Sequence, residues 1–147
     1  MSNTDTKRFP VMLTIVGEQY FDDADPDETK LMTAGVMELL PEGLRFTYEE
    51  SELTGMEGTT TTFEIRGRQV ILTRCGTTNS QMIFEEGRQH TSLYETPFGG
   101  LTVDIETSRL QHNLTENGGL MLIQYSIAVE HTVTGRNCFR ISVRRKK

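Results

Sequence analysis

Apolar and polar residues alternate along nearly the whole chain, in short segments that turn residues separate. Val11, Leu13 and Ile15 share one face of the first segment, and residues 101–105 show the clearest alternation. A period of two is typical of a β-strand with one buried face. The alternation predicts about ten strands, over residues 9–20, 30–40, 44–49, 59–66, 69–75, 80–86, 89–95, 101–105, 120–130 and 137–145.

Glycine, proline and clustered aspartate residues mark the turns between these strands. Gly67-Arg68 and Gly87-Arg88 predict two tight hairpins, because glycine readily adopts the positive φ of a type II′ turn. Longer turn signals lie at residues 22–28, 41–43, 53–58, 96–100 and 117–119. Strands joined in this way form a meander, which closes naturally into an up-and-down barrel. A two-sheet sandwich is the alternative, although sandwiches usually contain longer crossovers.

The composition favours the all-β class independently of the pattern. The chain has 21 threonines and 3 alanines. Threonine fits a pleated sheet, whereas alanine is the strongest helix former. A chain of 147 residues suits a single domain. We therefore predict a flexible N-terminal tail over residues 1–8 and one antiparallel barrel over residues 9–147, closed or nearly closed, with about 8–10 strands.

Charge and cysteine content narrow the partners and the compartment. The formal charge of −6 disfavours nucleic acid and anionic membranes as partners. No apolar run reaches the ~18 residues of a membrane-spanning helix. Residues 1–10 lack the apolar core of a signal peptide. Cys75 and Cys138 form no CxxC motif, which indicates free thiols in a reducing cytoplasm.

No pattern in the chain predicts a catalytic, metal or cofactor site. His90, His112 and His131 lie in separate segments without metal-ligand spacing. His90 shares a strand face with Ser92, but the pair matches no recognisable nucleophile motif. The sequence therefore predicts no cofactor and gives no support for an enzyme, while catalysis inside the barrel stays open as an alternative.

Strand alternation also predicts which polar side chains point into the barrel. Arg74 shares a face with Val70 and Leu72, so its guanidinium is expected inside if those residues form the core. Tyr48 and Tyr125 likewise share a strand face with apolar residues, so their side chains are also expected inside. Polar side chains that could meet inside the barrel define the candidate ligand site, which consists of Arg74, Tyr48, Tyr94, Tyr125, Glu50 and His90.

Two interpretations of Arg74 are open, since a buried arginine needs a carboxylate, a carbonyl or a bound anion. In the first, Arg74 and the tyrosines hold the anionic group of a small, partly apolar or lipid-like ligand, as in small barrels that hold fatty acids. In the second, an Arg74–Glu50 pair plugs one end of the barrel. The protein would then act through its outer surface, as a homodimer or a partner-binding module. Ile71, Ile83 and Leu93 are predicted to face outward and would serve that role.

Four stretches, in this order and spacing, resemble a known family. They are Tyr48-Glu49-Glu50, the Arg74-x-Gly76 turn leading to Phe84 and Gly87, the run Tyr94-x-x-x-Phe98-Gly99-x-Leu101, and Tyr125. Over about residues 10 to 144 the chain is similar to the YwiB-like proteins, a bacterial family of unknown function with a calycin-type, lipocalin-like barrel. The long acidic first loop and Leu93 depart from the family pattern. The resemblance implies this fold, a bacterial cytoplasmic protein and an internal cavity, and it implies no reaction.

Overall fold

The chain folds as β-strands through most of its length. The computed structural model describes residues 7–20, 25–51, 57–76, 79–96 and 98–146. These residues form ten strands, which are β1 (Arg8–Tyr20), β2 (Asp27–Leu40), β3 (Gly43–Glu49), β4 (Thr59–Arg66), β5 (Gln69–Gly76), β6 (Ser80–Glu85), β7 (Gln89–Thr96), β8 (Gly99–His112), β9 (Gly118–Val129) and β10 (Thr132–Arg145). Most of the predicted tail, residues 1–6, lies outside the described part of the chain. Within that part, no helix is long and apolar enough to cross a membrane.

The strands form one antiparallel sheet in the order β6-β5-β4-β3-β2-β1-β10-β9-β8-β7. Every other pairing joins consecutive strands, but β1 also pairs with β10, where Ile15 lies opposite Ile141. This pairing brings the last strand beside the first. The sheet curls until its edge strands β6 and β7 approach each other. The predicted all-β, antiparallel and nearly closed barrel is therefore confirmed.

The two predicted hairpins behave differently. Gly67 has a φ of +56°, and Arg66 pairs with Gln69 across the turn, so the first hairpin is confirmed. Gly87 also has a positive φ, of +78°, but the strands it joins, β6 and β7, form no ladder within the described residues. The second predicted hairpin is wrong because the Gly87 amide donates to the Thr107 carbonyl of β8 instead, at 2.8 Å.

The end of β8 and the start of β9 differ from the sequence prediction for a physical reason. The register shifts between Thr107 and Arg109, and the extra residue of such a bulge breaks the alternation that would have marked a longer strand. Residues 117–119 were predicted as a turn; Asn117 lies in that turn, but Gly118 already belongs to β9 and pairs with Arg144 of β10. A Cβ at Gly118 would lie 2.3 Å from the Val143 carbonyl oxygen, so a close backbone approach requires glycine there.

Aromatic side chains fill the middle of the barrel. Phe46 stacks on Phe63 with ring centroids 5.2 Å apart, and Phe63 meets Phe139 edge-on at 5.8 Å. Tyr125 continues the chain of contacts to Phe139 at 5.8 Å and to Phe84 at 4.8 Å. Because Phe46, Phe63 and Phe84 have no exposed surface, they form a packed core that closes the barrel across its middle.

The antiparallel meander gives the barrel two distinct ends. The last residues of the odd-numbered strands and the first residues of the even-numbered strands lie at one end, here called the upper end. Arg8 of β1 and Arg145 of β10 lie at the other, lower end. The candidate functional site lies at the upper end, because Tyr48, Arg74 and Tyr125 all belong to the last part of an odd-numbered strand.

Candidate functional site

A cavity of about 270 Å³ lies at the upper end of the barrel. Its wall combines charged and polar side chains with apolar ones from six strands or strand ends. Four of the six predicted site residues line it, namely Arg74, Glu50, Tyr48 and Tyr125. Ile15, Leu31 and Phe139 supply apolar wall, and Glu18, Asp27, Asn137 and Cys138 supply further polar groups.

A row of three neighbouring strands positions the first part of the site. Tyr48 of β3 lies opposite Thr61 of β4, and Thr61 lies opposite Arg74 of β5. Residues in such a row point to the same face of a sheet. Tyr48 is 4% exposed and Thr61 is fully buried, so this face is the interior. The predicted inward orientation of Tyr48 and Arg74 is confirmed.

Glu50 lies next to this row, immediately after the end of β3. Its backbone amide donates to the Thr59 carbonyl at 2.9 Å, which fixes its place against β4. Its carboxylate accepts a hydrogen bond of 2.5 Å from the Thr61 hydroxyl. Only 1% of the Glu50 side chain is exposed, so the carboxylate lies inside the barrel and depends on these protein groups for solvation.

The Arg74 guanidinium lies beside Glu50 but is not hydrogen-bonded to it through Nε. The distance from Arg74 Nε to Glu50 Oε2 is 3.8 Å, which exceeds the length of a hydrogen bond. Nε is buried and has no hydrogen-bond partner within the described part of the chain. Glu50 therefore balances the charge of Arg74 by proximity, while a donor of the guanidinium fork stays available.

Both tyrosine hydroxyls of the cavity stay protonated well into alkaline conditions. Burial raises the pKa of Tyr48 above its usual range, and the neighbouring charge of Glu50 adds to the increase. Burial also raises the pKa of Tyr125, although the positive charge of Arg74 partly opposes it. A neutral phenol can donate a hydrogen bond to an anion, so both groups suit the recognition of a carboxylate.

The rim of the cavity carries acidic groups that the sequence prediction missed. Glu18 is only 9% exposed. Its carboxylate pairs with Arg140 at 3.0 Å and accepts a hydrogen bond from the Tyr20 hydroxyl at 3.0 Å. By strand alternation Glu18 follows Val16 on the outer face, so no pattern in the sequence could have indicated its burial. With Asp27 also on the wall, the cavity as a whole is not cationic.

The other two predicted site residues, Tyr94 and His90, do not line the upper cavity. Tyr94 lines a separate apolar pocket between β6 and β7 to β9. His90 Nε2 lies 3.0 Å from Glu85 Oε1, near the lower end of β6. Alternation indicates which face a residue takes, but not the height or the position around the barrel.

The two cysteines and the metal-ligating side chains form no arrangement typical of a catalytic or metal site in the described part of the chain. Cys75 and Cys138 form no disulfide, as predicted, and Cys75 is exposed. Burial raises the pKa of the Cys138 thiol, with Arg140 opposing and Glu18 adding to the effect. A raised pKa lowers the fraction of nucleophilic thiolate. Among the residues that the structure describes, no group of three metal-ligating side chains comes together.

The outer surface carries apolar residues as well. Leu93 is 66% exposed, and Ile71 lies opposite Ile83 on the outer face of β5 and β6, so the predicted outward orientation is confirmed. A groove of about 550 Å³ crosses the outer faces of β1, β10, β9 and β8. Leu120, 61% exposed, lies in it together with Leu122.

Comparison with known proteins agrees with this architecture. The crystal structure of the ywiB protein from Bacillus subtilis superimposes with a TM-score of 0.82, covering 95% of this chain and 94% of that chain at 19% sequence identity. At this identity the likeness concerns the fold alone. No match was found among curated proteins. Residues 13–141 match the model of the family described as Domain of unknown function (DUF1934), and the chain therefore belongs to this family.

Proposed function

We propose that this protein is a non-enzymatic binding protein, whose upper cavity holds a small, partly apolar molecule through an anionic group. One observation carries the proposal. Arg74 is a nearly buried cation on the cavity wall, with a side chain only 13% exposed, and its Nε lacks a hydrogen-bond partner among the described residues. A buried donor left in this state costs free energy, which a bound acceptor would recover.

The surrounding groups suit a carboxylate in particular. The guanidinium presents a planar fork of donors that matches the two oxygens of a carboxylate. Tyr48 and Tyr125 line the same cavity, and their raised pKa values keep both phenols neutral and able to donate. Ile15 and Phe139 on the wall would cover the apolar part of the molecule next to its headgroup.

Glu50 limits the affinity that this arrangement can reach. Its carboxylate already balances the charge of Arg74 from 3.8 Å, and Glu18 and Asp27 also line the cavity. An incoming anion therefore gains hydrogen bonds from Arg74 but little net Coulomb attraction. We expect affinities in the micromolar range or weaker for simple carboxylates, rather than tight sequestration.

The same groups support binding over catalysis. Cys138 lines the cavity, but its raised pKa works against thiolate chemistry at neutral pH. The raised pKa of each tyrosine likewise disfavours a phenolate base. The exposed free thiol of Cys75 supports a reducing compartment, and we propose a cytoplasmic location for the protein.

Native mass spectrometry of protein purified under mild conditions from bacterial cells tests the proposal. We expect a retained small molecule on the wild type, its loss in Arg74→Gln, and its retention in Arg68→Gln. Arg68 is an exposed residue of the β4–β5 turn at the lower end of the barrel, so it controls for the change in charge. A bare protein mass that stays unchanged after soaking with a mixture of organic acids would contradict the proposal. A bare dimer mass would direct attention to the outer groove instead.

A further inference from the structure

A second interior pocket adjoins the upper cavity and differs from it in chemistry. It has a volume of about 250 Å³ and lies between β6 on one side and β7, β8 and β9 on the other. Its lining is mainly aliphatic, from Met82, Leu93, Leu101, Val103, Ile127 and Val129, and among the described side chains none that lines it carries a formal charge. This pocket is here called the seam pocket.

The seam pocket exists because the barrel is closed everywhere except between β6 and β7. These strands are the two edges of the sheet, and no ladder joins them within the described residues. The β6–β7 turn holds their lower ends together, where the Arg88 amide donates to the Glu85 carbonyl at 3.0 Å. Gln81 and Leu93 of the pocket lie on the outer faces of the edge strands, whereas Met82 and Val103 lie on inner faces. The pocket therefore opens outward through the seam.

Arg74 and Tyr125 lie at the border between the two pockets. Arg74 is paired with Ser80 of β6, and the next residue of β6 on the same face is Met82 of the seam pocket. On the opposite wall, Tyr125 of the upper cavity is followed on its face of β9 by Ile127 of the seam pocket. Residues two apart on a strand are separated by about 7 Å, so the two pockets are neighbours along both walls.

Polar and apolar compartments that meet at an arginine match an amphipathic molecule. The positive charge of Arg74 influences Tyr125 across the barrel, so a headgroup bound there would lie between the two walls. From this point the described wall of the upper cavity offers three carboxylates, those of Glu18, Asp27 and Glu50. The described wall of the seam pocket offers none. An apolar chain attached to the headgroup would therefore extend into the seam pocket, where it is shielded from water without approaching a charge.

We infer that the ligand is an unbranched aliphatic monocarboxylate, whose carboxylate binds Arg74 and whose hydrocarbon chain occupies the seam pocket between β6 and β7. This inference rests on the proposed function and adds the class of the ligand and the place of its apolar part. Burial of each methylene is expected to raise the affinity roughly three- to fourfold until the pocket is full. Longer chains would leave through the seam and gain no further affinity.

Titration calorimetry with butanoate, octanoate and dodecanoate tests the inference on the full-length protein. The variants Met82→Glu and Val129→Phe place a charge and a bulky ring in the seam pocket. Ile83→Glu and Ala128→Phe make the same changes at the neighbouring positions, on the opposite face of the same strands. Thermal unfolding followed by circular dichroism identifies the variants that fold, and the uncharged Val129→Phe keeps the test available if Met82→Glu does not.

The inference predicts that octanoate binds the wild type at least tenfold more tightly than butanoate. Val129→Phe and Met82→Glu should remove this chain-length dependence, and both outer-face controls should retain it. Carboxylate binding that requires Arg74 but is equal for all three chain lengths would overturn the inference and leave the proposed function intact. Absence of any Arg74-dependent binding, or equal binding of octan-1-amine, would overturn both.

Discussion

The middle and the upper end of the barrel are built from the same strands but contain opposite kinds of interior. In the middle, Phe46 and Phe63 stack with ring centroids 5.2 Å apart and have no exposed surface. Two residues closer to the upper end on β3 and β4, the interior instead contains Tyr48, Thr61 and the buried carboxylate of Glu50. Aromatic packing stabilises a fold directly, whereas buried charges seldom do. The comparison predicts that the middle of the barrel contributes more to the free energy of unfolding than the upper end does.

The strongest test of this comparison removes an aromatic ring from the middle. We expect Phe63→Ala to lower the free energy of unfolding by about 3–5 kcal/mol, because it deletes a fully buried ring that contacts two others. Urea denaturation measures this loss. Phe98→Ala is the control, since Phe98 is 99% exposed, and its effect should stay below about 0.5 kcal/mol. A loss of less than about 1 kcal/mol for Phe63→Ala would show that the stack is not the stabilising core.

A smaller loss of stability is expected when Glu50, one member of the Arg74–Glu50 pair, is neutralised. Glu50→Gln keeps the shape of the side chain and its contact with the Thr61 hydroxyl, but leaves Arg74 without its counter-charge at 3.8 Å. We expect a loss of about 2–3 kcal/mol, somewhat less than for a fully buried broken pair, because 13% of the Arg74 side chain is exposed. Octanoate should then raise the unfolding temperature of Glu50→Gln more than that of the wild type, since its carboxylate replaces the missing one.

The double variant Arg74→Met, Glu50→Leu distinguishes the contribution of the Arg74–Glu50 pair to stability from its contribution to carboxylate binding. Replacement of both charges by apolar groups of similar volume is often neutral or stabilising, so its unfolding free energy should lie within about 1 kcal/mol of the wild-type value. It should also bind no carboxylate. A double variant as unstable as Glu50→Gln would mean that the Arg74–Glu50 pair is a structural plug, as the alternative interpretation holds.

The weakest effect is expected at high pH, where ionisation of the two buried tyrosines that line the upper cavity should lower the stability of the fold. The pKa values of Tyr48 and Tyr125 are raised by burial in the folded state, so the unfolded chain releases these protons first. Their contribution is fully present below pH ~10, the pKa of an unfolded tyrosine, and is lost as pH rises above it. The expected slope is at most about 1.4 kcal/mol per pH unit for each tyrosine.

Chemical denaturation between pH 9 and pH 11 measures this slope. Tyr48→Phe and Tyr125→Phe should each reduce this slope. Tyr94→Phe makes the same change in the seam pocket and is the control variant. A stability that is independent of pH over this interval in the wild type would contradict the burial of the two phenols.

Local sequence was enough to determine the fold class and the interior face of the key strands. Threonine abundance and a period of two predicted an all-β meander, and the parity of β5 placed Arg74 with Val70 and Leu72, which are 0% and 1% exposed. This succeeds because side-chain direction in a strand alternates residue by residue, so neighbouring residues along the chain contain the information.

Only the tertiary structure decided which inward side chains meet. Tyr94 and Tyr125 are both aromatic residues of the inner face, but Tyr125 borders Arg74 while Tyr94 lies on the edge strand β7. Glu18 belongs by alternation to the outer face and is nevertheless buried by Tyr20 and Arg140. The position of a strand around a barrel depends on pairing between distant segments, such as β1 with β10. The open seam between β6 and β7 likewise results from where the sheet ends, and no local pattern in the sequence records that.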